Sequence, residues 1–463
     1  MRSRVVGAAV VLAALAALLL QTGVMVRTGF LMGDFRAFYC AARVSSTGAN
    51  PYHTQPLRAC ELSTGAMPFF RKNPNVTIPA PLPGYVVAAM IPLSLLPFVA
   101  AAILWGIVLF AACVAATLAV FGVSLATLSL PFGEVVPIAV ACACGAAYFA
   151  LRGRIRLAAV IAAGAMIEPH LGLPVCVAFA IWQPVTRLPL AIVFSGLAVL
   201  SLAVLGPATN VEYFTSVLPS HALSEMTRDT QYSFTAVLAA FGVPAGAAVR
   251  GGTLWYALML VAGVIVAGIL ARKTRNAAFL ACVPLAFAVF GGTFIHVTQI
   301  AAAVPAAVLL IPYVTGRTRT LAIATLLLLA VPWGWAISPA LIVAPVFPVA
   351  FVAWWYWREN TYVLLAALAA CALVFGLGQL YTITGLHFGA HPVMPLIDSR
   401  LPEASWSAFS QGASHGSLAA WAVRIPTWLG LASLLMLLLS RCLPEQSNVE
   451  RVQQPCHPEL VEG

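Results

Sequence analysis

Long uninterrupted apolar segments recur along almost the whole chain, and they restrict what it can fold into more than any other feature. A helix that crosses a bilayer needs roughly 20 apolar residues, and fewer where protein surrounds it or the bilayer thins. The sequence therefore predicts an all-α polytopic membrane protein with about 12 to 14 transmembrane helices. These spans lie near 5–26, 82–96, 98–121, 134–150, 157–167, 171–183, 188–206, 253–271, 277–294, 298–314, 320–336, 340–357, 361–384 and 418–440. Three of them are short, as in half-helices or a re-entrant hairpin: those near 82–96, 157–167 and 171–183.

The composition excludes a water-soluble domain. Of the 463 residues, 62% are hydrophobic and only 8% are charged, whereas soluble domains carry about 25% charged residues. The net charge of +10 does not indicate a nucleic-acid partner, because the basic residues are dispersed among short loops without a cluster. Membrane lipids are the partners that this composition predicts.

The distribution of arginine and lysine predicts the orientation. Short cytoplasmic loops carry an excess of these residues. With the N-terminus placed in the cytoplasm, most basic loops fall on the inner side: Arg152 to Arg156, Arg187, Arg272 to Arg275, Arg317 to Arg319, Arg358 and Arg441. The long polar intervals 27–80, 207–252 and 385–417 then face outward, and both termini are cytoplasmic. Residues 1–443 form one integral membrane domain, and the polar, aperiodic segment 444–463 is predicted to be a disordered tail.

The interval 27–80 is the richest in polar and aromatic groups, and it holds Asp34, the first acidic residue. The periodicity from Asp34 predicts about three turns of amphipathic helix lying in the headgroup region, with Arg36, Cys40 and Arg43 on its polar face. The segment Gly48–Pro51 ends that helix. Structural roles alone fit these residues too: Asp34 as an N-cap, the arginines reaching lipid phosphates, and Asn50-Pro51-Tyr52 as a turn with an aromatic anchor.

Other polar groups leave alternatives open. Glu168 and His170 flank a proline within an apolar run. They are either functional groups inside the membrane or part of a hairpin tip exposed to outer water. The stretch 225–232 is typical of a solvated surface, with acceptor contact as the alternative. Cys40 and Cys60 share an outer loop, where either a disulfide or two free thiols are possible. No cysteine, histidine or carboxylate spacing indicates a metal site, so the sequence predicts neither metal nor cofactor.

A set of motifs resembles glycosyltransferase family 87. They read D-F-x-x-F-Y-x-A-A-R from Asp34 to Arg43, G-x-N-P-Y from Gly48 to Tyr52, then A-P-L-P and P-L-S-L-L-P between Ala80 and Pro97. That family contains polyprenyl-phosphate-mannose-dependent α-mannosyltransferases with the GT-C membrane fold. Members often carry Gly-Gln and Lys-Pro where this chain has Gly133-Glu134 and Glu168-Pro169.

The resemblance implies a membrane enzyme that moves a hexose from a polyprenyl-phosphate donor to a glycolipid or glycan acceptor. By the family pattern the hexose is mannose, and the reaction takes place on the outer face of the cell (inner) membrane. Such a leaving group needs little protonation, so one general base suffices. Asp34 is the predicted base, with inversion at the anomeric carbon. Arg36, Arg43 and His296 are predicted, in that order, to stabilise the phosphate. The substrate-binding set is Arg36, Tyr39, Arg43, Asn50, Tyr52 and His296.

Two other classes fit an apolar chain of this kind. A transporter or lipid-linked-sugar flippase would use Asp34 as a coupling or gating residue. The sequence has no internal repeat, and its polar residues gather on one side of the membrane, which favours the enzyme. A non-catalytic partner in an envelope-polymer complex is the third possibility.

Overall fold

The structure, a computed structural model, describes residues 18–19, 22–65, 68–120, 129–228, 230–330, 333, 396–413, 421 and 423–443. Within these ranges the chain is mostly helical and contains no strand; a single β-bridge joins Gln231 to His296. The predicted spans near 340–357 and 361–384, most of the span near 5–26 and the predicted tail 444–463 lie outside the described residues.

Seventeen α-helices are numbered here in chain order within the described ranges. They are α1 Gly33–Ser46, α2 Thr54–Ser63, α3 Pro68–Lys72, α4 Gly84–Ser94, α5 Phe98–Val120, α6 Val136–Leu151, α7 Ile155–Ala163, α8 Pro169–Trp182, α9 Arg187–Glu212, α10 Leu218–Glu225, α11 Phe234–Ala240, α12 Ala245–Thr274, α13 Phe279–Gly291, α14 Val304–Leu310, α15 Gly316–Ala330, α16 Pro402–Ala413 and α17 Ile425–Cys442. Short 3₁₀ or π turns join several of them: Gly164–Ile167, Pro184–Thr186, Tyr213–Val217, Val297–Ala303 and Ile311–Tyr313.

Four of the described helical segments are long and apolar enough to cross a membrane: Phe98–Ala116, Pro184–Glu225, Ala245–Thr274 and Ile425–Cys442. The second contains 42 residues, roughly 60 Å of helix at about 1.5 Å per residue, or twice the bilayer core. Gly206 breaks it with φ 70° and ψ 169°. Shorter apolar helices, among them α4, α6, α8 and α13, pack between the long ones. The all-helical, membrane-associated character predicted from composition is therefore confirmed at this level.

The basic loops meet at one end of the helix bundle. The guanidinium of Arg272 lies 4.5 Å from the centre of the Trp182 ring, and Lys273 Nζ donates to the carbonyl oxygens of Arg441 and Leu443 at 2.9 and 2.8 Å. Helices α8, α12 and α17 all finish there. The ends of three chain segments that the positive-inside rule groups together are thus neighbours in the structure.

The opposite end of the same helices gathers a different set of groups. Tyr256 of α12 donates to the carbonyl oxygen of His170 at the start of α8, at 2.8 Å. Arg424, just before α17, donates to the carbonyl oxygen of Arg228 at 3.1 Å. Tyr256 and Arg272 are separated by roughly four turns of α12, so the end at which α8 begins lies across the bundle from the basic loops.

Helix α1 is present where the periodicity predicts a helix, but it does not lie on a surface. Eleven of its 14 residues are buried, including Arg36 on the predicted polar face. Arg36 Nη1 donates to the carbonyl oxygens of Glu61 and Gly65 and to the Thr64 hydroxyl, at 3.3, 3.0 and 2.6 Å. The predicted surface position is therefore wrong, and the depth of α1 in the membrane stays a prediction. The end of α2 satisfies the guanidinium inside the protein, so α1 needs no polar exterior.

Candidate active site

A cavity of about 470 Å³ opens at the end of the bundle opposite the basic loops. Its walls include apolar and aromatic side chains such as Phe30, Phe38, Leu82, Tyr213 and Phe294. Eight side chains with a carboxylate, imidazole or guanidinium group also line it: Asp34, Glu134, Glu168, His170, His221, Glu225, Arg228 and His296. In a chain with 8% charged residues, this concentration in one cavity marks a candidate active site.

Asp34 lies in the first turn of α1 without acting as its cap. The N-cap residue is Met32, in the left-handed region at φ 55°, and no side chain accepts a capping hydrogen bond there. The Asp34 carboxylate accepts no hydrogen bond from a described residue, and it lines the cavity. Burial raises the pKa of Asp34 well above its usual range; the Glu134 carboxylate raises it further and Arg228 opposes both. The capping role that spacing permits is thus not the one observed.

The loop before α6 holds a second carboxylate beside Asp34. The backbone amides of Met32 and Asp34 donate to the carbonyl oxygens of Pro131 and Phe132 at 2.7 and 3.1 Å. This close approach needs a glycine at 133, where φ is 78° and a Cβ would lie 2.5 Å from the Cβ of Phe35. Glu134 follows immediately and lines the cavity. One wall of the cavity therefore carries two carboxylates, Asp34 and Glu134, on two segments that are joined by backbone hydrogen bonds.

The hairpin formed by α7 and α8 places Glu168 and His170 on the same cavity. The 3₁₀ turn Gly164–Ile167 ends α7, and Glu168 precedes the first residue of α8. His170 Nδ1 lies 3.4 Å from Glu168 Oε2. Both residues are partly buried and face the cavity. The water-exposed hairpin tip considered from the sequence is therefore instead a cavity wall.

The opposite wall carries the positive charge. Arg228 Nη1 donates to both carboxylate oxygens of Glu225 at 3.3 Å, and His296 Nε2 lies 3.6 Å from Glu225 Oε2. Trp406 Nε1 also donates to Glu225. Gln231 and Tyr232 are buried nearby, so the solvated surface favoured for 225–232 is wrong for these described residues. The loop packs inward because its polar groups find partners on other segments.

His296 is fixed by two loops that run side by side. Tyr232 N donates to the carbonyl oxygen of Ile295 at 2.7 Å, and Val297 N donates to that of Thr230 at 3.2 Å. The Gln231 amide reaches the His296 ring at 3.3 Å, while its Oε1 accepts from Ile295 N at 3.0 Å. The bridge therefore brings His296 to the same wall as Arg228. Of the predicted site residues, Asp34 and His296 are the two that line this cavity.

The other five predicted site residues contact protein rather than the cavity. Arg43 donates to the Tyr39 hydroxyl at 2.9 Å, and Tyr39 donates to the carbonyl oxygen of Leu96 at 2.8 Å. Arg36 is held by the end of α2, as described above. Asn50 Nδ2 donates to Glu212 at 2.7 Å, and the Tyr52 hydroxyl donates to the Leu82 carbonyl at 2.6 Å. Their predicted role in phosphate or substrate binding stays a prediction.

Tyr52 supports the cavity from behind. Its ring lies 5.5 Å from that of Tyr213, which together with Leu82 belongs to the cavity lining. Cys40 and Cys60 form a disulfide that joins α1 to α2. The motif residues of the interval 27–80 thus hold α1, and with it Asp34, in a fixed position against the bundle.

His221 received no role from the sequence, and Glu225 and Arg228 were considered only for contact with the acceptor. His221 and Glu225 are four residues apart on α10, and Arg228 follows one turn later. Charged groups at helical spacing in so apolar a chain are the signal that could have identified them.

Comparisons of the chain with protein-family models, with curated proteins and with solved structures each found no match. The family resemblance therefore depends on the sequence motifs alone.

Proposed function

We propose that this protein is an integral membrane glycosyltransferase that moves a hexose, with mannose as the expected sugar, from a polyprenyl-phosphate donor to a lipid or polysaccharide acceptor. The reaction takes place on the outer face of the cell membrane, with inversion and with Asp34 as general base. One observation carries the proposal: Asp34, whose carboxylate caps no helix and accepts no hydrogen bond from a described residue, faces a cavity whose other wall holds Arg228 and His296.

The bond changes require one base and one phosphate-binding group. The acceptor hydroxyl oxygen attacks the anomeric carbon as the bond from that carbon to the donor phosphate oxygen breaks. The phosphate leaves with the electron pair, and the hydroxyl proton passes to Asp34. Burial favours this transfer, because it raises the pKa of Asp34 and makes the carboxylate a stronger base.

The cation wall suits the departing phosphate. Arg228 and His296 present donors on the same cavity as Asp34, and charge-assisted hydrogen bonds to phosphate are among the strongest in proteins. Arg36 and Arg43, preferred for this role on sequence grounds, have partners elsewhere. Arg228 and His296 are therefore the phosphate-binding residues of the proposal.

The surroundings of the cavity suit a lipid-linked donor. Phe214, which lines the cavity, is 64% exposed, and Leu254 of α12 is 64% exposed close to the cavity residues Thr253 and Tyr256. Apolar side chains this exposed are compatible with lipid chains rather than with water. A polyprenyl tail would follow this rim into the membrane while its sugar-phosphate enters the cavity. A GT-C-type fold is the architecture that the proposal implies.

The two ends of the bundle support the proposed orientation in the membrane. The loops with Arg187, Arg272, Lys273 and Arg441 belong to the end away from the cavity. If the positive-inside rule holds, that end is cytoplasmic and the cavity opens on the outer face. Polyprenyl-phosphate sugars and a glycan acceptor meet there without crossing the membrane.

The test uses purified protein with polyprenyl-phosphate-mannose and a lipid extract from a strain that lacks the protein. We expect a new glycosylated product with the wild type, none with Asp34→Asn, and normal product with Asp398→Asn. Asp398 is the matched control, because it is an exposed aspartate paired with Arg400 outside the cavity lining. Transport of a solute or flipping of the lipid in vesicles, with no new glycosidic bond, would instead establish the transporter or flippase alternative.

A further inference from the structure

Three side chains on the cation wall of the cavity form a set of which the proposed transfer reaction uses only one, His296. His221, Glu225 and His296 each offer one ligand atom, and these atoms lie within 4.8 Å of one another. His221 and Glu225 face the same side of α10 because they are four residues apart, and His296 comes from the loop bridged to Gln231. Three donors from two separate segments therefore meet at one point.

The chemistry of this set is that of a divalent transition-metal site. Two imidazoles and one carboxylate are a frequent ligand set for zinc, in which the remaining positions are left for water or substrate. The three residues also line the cavity, so those positions would face it. A structural zinc site, in contrast, is closed by four protein ligands.

The surroundings of His221 suit a metal ligand. Its Nδ1 is buried and makes no hydrogen bond to a described residue, and it lies 4.0 Å from Glu403 Oε1. The Glu403 side chain is 1% exposed, and neither of its carboxylate oxygens has a hydrogen-bond partner among the described residues. Metal-bound histidines commonly direct their second ring nitrogen to such a carboxylate. Nε2 of His221 is then left as the ligand atom.

Glu225 is also held in place. Trp406 Nε1 donates to its Oε1, which leaves Oε2 on the side of His296. Arg228 is the competing cation, because its Nη1 lies 3.3 Å from both carboxylate oxygens. Its side chain is 31% exposed, against 2% for Glu225, so it can turn away from the carboxylate without moving the backbone.

We propose that His221, Glu225 and His296 bind a divalent transition-metal ion of the zinc class, with Glu403 orienting His221. The site depends on its own donor geometry and not on the transferase activity. Its role does rest on the proposed function: an ion there would sit beside Arg228 and take an oxygen of the donor phosphate into an open position. It would then add to the stabilisation of the leaving group.

The experiment measures metal binding directly. The full-length protein is purified with a tag that contains no histidine, stripped with a chelator, titrated with Zn²⁺ by calorimetry and analysed for bound metal. We expect one equivalent of zinc per chain. His221→Ala and Glu225→Gln should each weaken binding by more than the roughly 10- to 100-fold loss that a change in an outer-shell partner causes. Glu403→Gln changes only the outer-shell partner of His221, so its loss of zinc affinity should be about 10- to 100-fold.

Two histidines serve as controls. His170→Ala changes another histidine on the same cavity, and His53→Ala changes one paired with Glu212 outside the cavity lining. Both variants should bind zinc like the wild type, whereas Arg228→Met should bind it more tightly because the competing cation is gone. Thermal unfolding of each variant establishes that it is folded.

Two outcomes would overturn the site: a wild-type protein without stoichiometric zinc, or unchanged binding in both His221→Ala and Glu225→Gln. The first would leave Arg228 as the cation that serves Glu225. The metal proposal and the transferase proposal fail separately. Zinc binding by an Asp34→Asn protein, and by a wild type that forms no product, would preserve the site and remove the enzyme. Full product formation by a wild type that fails to bind zinc in the titration would remove the site and preserve the enzyme.

Discussion

The guanidinium of Arg228 donates to both carboxylate oxygens of Glu225, each at 3.3 Å, on the wall of the cavity that Asp34 lines. The two side chains differ in freedom: Glu225 is 2% exposed and also bonded to Trp406, whereas Arg228 is 31% exposed. The carboxylate is thus fixed in the protein, and the arginine reaches it from the rim. An anionic ligand that enters the cavity can therefore attract Arg228 while Glu225 keeps its other partners.

Replacement of Asp34 separates catalysis from folding. Asp34→Asn keeps the shape of the side chain but removes the base, so we expect product formation to fall by about 100- to 10,000-fold. The unfolding temperature should stay near that of the wild type, because Asp34 caps no helix and its carboxylate accepts no hydrogen bond from a described residue. Turnover and thermal unfolding are measured on the same preparation. Wild-type turnover in a folded Asp34→Asn protein would exclude the base.

The rate should depend on pH through Asp34. Only the ionised carboxylate accepts a proton, and burial raises its pKa well above the usual range, about 3.9 for aspartate in water. Turnover should therefore fall as the pH drops through this raised pKa, and the acidic limb should lie well above pH ~4. The profile of kcat/KM against pH reports that limb for the free enzyme.

Glu134 supplies the control for the pH profile. Its charge is the second cause of the raised pKa of Asp34, after burial. Glu134→Gln should therefore move the acidic limb toward lower pH, without removing it. A limb that stays in place, or that moves upward, would show that Asp34 and Glu134 do not interact as the structure indicates.

The sequence predicted the helix of Asp34 but could not predict what surrounds it. Helical periodicity identifies α1, because the apolar and the polar side chains of residues 34–43 fall on two different faces over about three turns. The same pattern suggested a surface helix. Arg36 is instead buried because backbone carbonyls at the end of α2 accept its hydrogen bonds. Carbonyl oxygens belong to every residue type, so no side-chain pattern announces such a partner.

The cation wall was missed for a related reason. Asp34, Arg228 and His296 are separated by long stretches of chain, and their meeting depends on how α1, α10 and the bridged loops pack. A short polar stretch such as 225–232 looks the same in a sequence whether it faces water or the interior of a fold. His296 was found through the family motif rather than through any local signal. Helix periodicity thus predicted the elements, and packing decided the site.

Arg228 and Arg43 distinguish the structure-based site from the sequence-based one. Arg228→Met should weaken donor use by about 10- to 100-fold, the equivalent of a charge-assisted hydrogen bond of about 1.5–3 kcal/mol. Arg43→Met should change donor use little, because Arg43 donates to Tyr39 and lies outside the cavity lining. The measurement is kcat/KM at varied donor concentration. A large loss in Arg43→Met with none in Arg228→Met would favour the sequence-based assignment.

Glu61 should matter for stability rather than for chemistry. Its side chain is fully buried, accepts from Ile78 N at 3.1 Å and lies 3.8 Å from Arg58 Nη1. Glu61→Ala leaves the Ile78 amide without its buried acceptor, and an unsatisfied buried group of this kind costs about 1–3 kcal/mol. We expect a clear drop in unfolding temperature, measured by thermal denaturation in detergent. Glu61→Gln, which still offers an oxygen to Ile78, should lose less; equal losses would argue against the hydrogen bond.

The Cys40–Cys60 disulfide tests both stability and orientation. It joins α1 to α2 across 20 residues, and closing a loop of that length in the unfolded chain is associated with about 3 kcal/mol of stability. The Cys40→Ala, Cys60→Ala double variant should therefore unfold at a lower temperature, while Cys442→Ala, at the end with the basic loops, should not.

Disulfides persist in oxidising compartments and are rare in the cytosol. Mass spectrometry of membranes alkylated without a reductant should therefore recover the two cysteines as one linked peptide. Two alkylated thiols would contradict the disulfide and would remove its support for placing the 27–80 loop on the outer face.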